Sequence, residues 1–137
     1  QCCQAVGETP GELTFYEFVP SVLSTFDPAT VAENIKRGAV LRREHRVPIT
    51  NIAALYEKYF EGRSLDVLSI DAEGLDYPIL AGNDWNKCRP KIVLFESQVD
   101  ETSVADAMLL QHNYRLLRNI GCNKIYERVD DIQKLGQ

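Results

Sequence analysis

Long hydrophobic runs are missing from this 137-residue chain. A stretch such as Ile92–Phe95 has the length of a buried strand. Nothing approaches the ~18 to 20 apolar residues that cross a bilayer, so no membrane span is expected. Positive charge is also short. Fifteen Lys and Arg stand against twenty Asp and Glu, a net charge of −5, which argues against a dedicated nucleic-acid binder. The four cysteines, Cys2, Cys3, Cys88 and Cys122, form no CxxC pair and no zinc-ribbon spacing, and neighbours such as Cys2 and Cys3 bridge each other only with strain. Four reduced thiols in a cytoplasmic protein are the expectation, with a Cys88–Cys122 disulfide as the alternative. The chain lacks GxGxxG, GxxxxGK(S/T) and GxSxG, and Gly74, Gly82 and Gly121 stand alone. Simple phosphate-loop and nucleophile-elbow signatures are therefore excluded. No basic-then-apolar leader follows Gln1, and we expect a trimmed chain or one piece of something longer.

What remains is ordinary globular sequence. Hydrophobic residues make up 45% and charged residues 26%, which excludes disorder, collagen and coiled coil as whole-chain readings. Residues 1–137 have the length of a single domain. Residues 1–6 and 12–18 read as two strands around the turn chemistry of Glu8-Thr9-Pro10-Gly11, together a β-hairpin. Asp27 followed by Pro28 marks a helix start, with Val31 and Ile35 on one face. A second helix starts at Thr50, carries Ile52, Leu55, Tyr56 and Tyr59 as an amphipathic stripe, and stops at Gly62. The apolar strands Leu65–Ile70 and Lys91–Phe95 suit a parallel sheet, whose two faces are both covered. A helix over about Leu75–Leu80 lies between them, with Pro78 tolerated near its first turn. A helix over Ser103–His112 and a hairpin, Tyr114–Ile120 with Lys124–Arg128, complete an α/β fold. We expect a mostly parallel sheet with an antiparallel C-terminal hairpin.

In such sheets ligands bind beyond the carboxyl ends of the strands. Asp71-Ala72-Glu73-Gly74 follows one strand and Glu96 ends the next, so Asp71 and Glu96 are expected to face one crevice. Paired carboxylates raise one another's pKa and can supply a general base, or they can ligate a divalent metal. The competing reading is structural: Asp at a strand-to-helix junction is often an N-cap. The basic run Lys36–Arg46 offers an anion site, but a solvated helix face is the favoured reading. His45 and His112 lack ligand-spaced partners. Trp85, in the loop Asn83–Arg89, reads as core rather than lid.

At LDVLSIDAEGLDYPILAGNDW the chain resembles the FkbM-type methyltransferases. The carrying residues are Asp71-Ala72-Glu73-Gly74, the following Leu80-Ala81-Gly82, and Glu96 after KIVLF. Ala5-Val6-Gly7-Glu8 with Gly11-Glu12-Leu13, the Leu23-Ser24-Thr25 loop, and Tyr114 with the Gly121–Tyr126 hairpin add to it, over about residues 4–128. The resemblance implies a Rossmann-like class I fold and S-adenosylmethionine as methyl donor. It implies a hydroxyl acceptor on a small molecule, sugar or glycolipid. By it Asp71 and Glu73 lie on the acceptor side, beside the Glu96 read from the strand ends, and Ala5 and Val6 lie near the adenine. The family's first strand, its glycine-rich turn and the acidic residue closing its second strand have no counterpart in the 137 residues. About 60 residues of βαβα would carry them. We therefore expect a truncated domain with weak or absent catalysis. We also expect a bare edge at Leu65–Ile70, covered by the N-terminal strand or by a second copy in a homodimer. The competing reading is a non-enzymatic binding or assembly module descended from such an enzyme.

Overall fold

A computed structural model describes residues 4–60, 62–72, 75–97 and 102–129. The chain divides into two compact units, Gln1–Thr50 and Asn51–Gln137.

The first unit is a three-stranded sheet. Strand β1 (Ala5–Val6), β2 (Gly11–Val19) and β3 (Val40–Thr50) lie in the order β1-β3-β2. The expected hairpin of β1 with β2 does not form. β1 runs parallel to β3, with Ala5 opposite Ile49 and Val6 opposite Thr50, while β2 pairs antiparallel along nearly the whole of β3. Gly7 continues the first pairing by donating its N–H to the Thr50 carbonyl at 2.8 Å. Between the long strands come a turn of 3-10 helix, Ser21–Leu23, and helix α1 (Pro28–Lys36). Asp27 caps α1, accepting the Ala29 N–H at 2.9 Å, with Pro28 in the first turn. Its inward residue is Asn34, buried and bonded to the Leu23 carbonyl at 2.9 Å, whereas Ile35 is exposed. Gly38, at φ 90°, turns the chain out of the helix.

The basic run is mostly strand, not a solvated helix face. Only Lys36 lies in α1, and Arg42, Arg43 and Arg46 lie in β3. Cross-strand acids explain why these charges tolerate a sheet. Arg42 and His45 both meet Glu17, at 3.0 and 2.9 Å, and Arg46 meets Glu12 at 3.1 Å. The His45 hydrogen bond, with the Arg42 charge, holds the Glu17 carboxyl below its ordinary value of 4.5. A depressed carboxyl stabilises the fold above its unfolded pKa and loses that contribution as pH falls through the folded value. Glu17→Gln should therefore flatten the acid limb of the first unit's stability below pH 4.5, read by chemical unfolding at stepped pH. An unchanged acid limb would mean the His45 and Arg42 contacts are too solvated to matter.

The second unit opens with helix α2 (Ile52–Phe60). Its cap is Asn51, whose Oδ1 accepts the Ala54 N–H at 2.9 Å, because Thr50 is still held in β3. Ile52 is buried, but Tyr59, at the far end of the expected stripe, is exposed. The sheet contains β4 (Val67–Ile70), β5 (Ile92–Glu96), β6 (Tyr114–Ile120) and β7 (Asn123–Arg128), ordered β4-β5-β7-β6. β4 and β5 are parallel, β7 is antiparallel to β5, and β6 is antiparallel to β7. Both sheets are thus mixed, which corrects the expectation of a mostly parallel sheet. The tight turn at Gly121, φ 61°, reverses β6 into β7 and inserts β7 between β5 and β6. β4 is an edge strand with Val67 exposed. Ala5 and Val6 of the N-terminal strand pair with β3 in the first unit.

Helices α3 (Asp76–Ala81) and α4 (Thr102–Gln111) follow β4 and β5. Leu80, Val93, Phe95, Leu109, Tyr114 and Tyr126 are essentially fully buried, and α4 contributes Ala105 and Leu109 at i, i+4 spacing. The loop after α3 belongs to this core. Trp85 is 5% exposed, stacks on His112 at 5.6 Å and meets Tyr114 edge-on at 5.5 Å. Asn83 donates to the Cys88 carbonyl at 3.0 Å, Tyr114 donates to the Pro90 carbonyl at 2.7 Å, and Arg128 to the Arg89 carbonyl at 2.7 Å. Cys88 and Cys122 are both free thiols, and burial pushes the Cys88 thiol up to about 11. No helix among the described residues is long and apolar enough to cross a membrane.

Candidate active site

The carboxyl ends of β4 and β5 adjoin. The register ends at Ile70 opposite Phe95, so Asp71 is the first residue past β4 and Glu96 the last of β5. Asp71 is exposed and Glu96 half-buried. The tip of the β6–β7 hairpin joins them, with Glu96 opposite Asn123 and the Cys122 carbonyl accepting the Ser97 N–H at 2.7 Å. The Cys122 thiol feels both acids. Its hydrogen bond to Glu96 pushes its pKa up, and the negative charges of Glu96 and Asp71 push the same way. Both acids thus act on the same thiol.

Asp71 is not a helix cap. Helix α3 begins only at Asp76, and Leu75 occupies its N-cap position with no side-chain cap. The acid that does structural service is Asp76, which the sequence reading passed over. It is 2% exposed. Its Oδ2 accepts the Ala72 N–H at 3.3 Å and its Oδ1 accepts the Glu96 N–H at 3.1 Å. The available signal was an acid five residues after Asp71 inside an otherwise apolar segment, LDYPIL.

The other expected residues are distributed as follows. Glu73 lies outside the described residues. Ala5 and Val6 are half-buried on β1 in the first unit. Among the described residues no group of three or more His, Cys, Asp and Glu is gathered to hold a metal. Of the β3 arginines, Arg42 pairs with Glu17 and Arg46 with Glu12.

Carboxylates at the ends of parallel strands can accept a hydrogen bond from a hydroxyl or ligate a cation. The methyltransferase FkbM domain family matches residues 1–116. The chain belongs to that family, as Asp71-Ala72-Glu73-Gly74 and its flanking strands imply. No curated protein and no solved structure matches the chain.

Proposed function

We propose that this chain is a methyltransferase domain that uses S-adenosylmethionine to methylate a hydroxyl of a small molecule, sugar or glycolipid. The observation that carries the reading is the juxtaposition of Asp71 and Glu96 at adjoining strand ends in a chain of this family. Asp71, with Glu73 and Glu96, receives the acceptor. A carboxylate there would accept the hydroxyl's hydrogen bond, orient its oxygen and take its proton. The donor set fits this side of the reaction, being acidic and open to solvent at Asp71. Ala5 and Val6 offer small, half-buried aliphatic side chains of the kind an adenine ring packs against. S-adenosylmethionine supplies the electrophilic methyl group, so the protein's part is alignment and exclusion of water rather than covalent catalysis.

On this reading the parallel β4–α3–β5 crossover is part of a Rossmann-like sheet, and the setting is cytoplasmic. A homodimer through the β4 edge accords with the exposed Val67. Calorimetric titration with S-adenosylhomocysteine tests the donor side. Micromolar binding would carry the methyltransferase reading to this chain, and absence of binding at millimolar ligand would favour a binding or assembly module of methyltransferase descent. In a family chain that also carries the glycine-rich turn, the change equivalent to Asp71→Asn should lower turnover by about 100-fold, and in this chain Asp71→Asn should leave the unfolding midpoint nearly unchanged, since Asp71 is exposed and caps nothing. Unaltered turnover would remove Asp71 from the acceptor side.

A further inference from the structure

We infer that Asp76 is the positioning residue of the acidic crevice, a buried carboxylate that fixes the distance between the Asp71 and Glu96 ends of β4 and β5. The inference rests on the reading of those two acids as the acceptor side. The β4–β5 ladder stops at Ile70 and Phe95. Beyond it the chain leaves β4 as loop and needs another tie if Asp71 is to keep a fixed distance from Glu96. Asp76 provides one. Its two oxygens divide between two segments, one taking the N–H next to Asp71 and the other taking the N–H of Glu96 itself.

The burial of this group argues for the same role. Hydrogen bonds from N–H groups to an ionised carboxylate are the strong kind, and they strengthen where water is excluded. Desolvating a carboxylate is costly. Helix α3 does not require that cost, since it starts without a side-chain cap and both Asp76 oxygens are engaged outside it. Only a carboxylate accepts at both positions. An asparagine would keep one acceptor and turn an NH2 group toward the other N–H.

The experiment is site-resolved amide hydrogen exchange on the intact chain and on Asp76→Asn, with the pH profile of Cys122 alkylation read by peptide mass spectrometry. The variant should lose about ten-fold or more of the protection at Ala72 and Glu96, with Leu68 to Ile70 unchanged. The Cys122 profile should shift down toward the ordinary thiol value of 9.0 as Glu96 drifts from the thiol. Uniform loss along β4 and β5, or unchanged Ala72, Glu96 and Cys122, would overturn the inference. If the variant does not fold, the wild type decides. A protected Ala72 amide is expected, and exchange there at the unfolded-chain rate would overturn the inference. Failure to bind S-adenosylhomocysteine would strike the methyltransferase reading and leave these exchange results untouched.

Discussion

Trp85→Ala should cost the second unit about 3–5 kcal/mol, the range for truncating a buried large aromatic. The indole is 5% exposed and packed between His112 and Tyr114. The loop that carries it is tied to the core through Asn83, Pro90 and Arg89, so collapse into the cavity is restricted. The loss is a large part of the 5–15 kcal/mol that holds a typical domain together. Urea unfolding followed by far-ultraviolet circular dichroism measures it. A cost below about 1 kcal/mol would instead mark Trp85 as a surface or lid residue.

Asp106→Ala should cost about 2–3 kcal/mol, because one carboxylate on α4 serves two groups of β7. Lys124 reaches both of its oxygens, at 3.0 and 2.7 Å, and the Tyr126 hydroxyl donates to Oδ1. The Lys124 side chain is only 13% exposed and Tyr126 is buried, so removal of Asp106 leaves an ammonium and a hydroxyl poorly solvated. Burial, with the Asp106 hydrogen bond, already holds the Tyr126 hydroxyl well above the ordinary tyrosine range. Tyr126→Phe removes one bond and no charge, and about 1 kcal/mol is expected for it. The double variant should cost less than the sum of the two, since both changes break the same hydrogen bond. Additive costs, or a loss from Asp106→Ala no larger than an exposed ion pair gives, would show that the groups act independently.

Local chemistry made the first helix and much of the second unit legible. The Asp27-Pro28 cap, the Gly121 turn, the apolar β5 run and the α4 pattern each lie within a few residues, and each element appears within a residue or two of its expected bounds. β3 was not legible in that way. Its charges suggest a solvated helix until Glu12 and Glu17, some 25 to 35 residues away, come opposite them. Pro48, which a helix interior tolerates poorly, and the β-branched Val40, Val47, Ile49 and Thr50 were the signals for a strand.

By itself the sequence determined the α/β class, the family, and the two acids at the ends of successive apolar strands, because these depend on composition, short-range pattern and motif. Pairing was left to the tertiary structure. β1 could join β2 or β3 by pattern alone, and it joins β3 because Ala5 and Val6 pair with Ile49 and Thr50, residues remote in sequence. The role of Asp76 was decided there too. A carboxylate in LDYPIL carries no mark of its partners until folding brings the N–H groups of Ala72 and Glu96 to its two oxygens and closes water out around them.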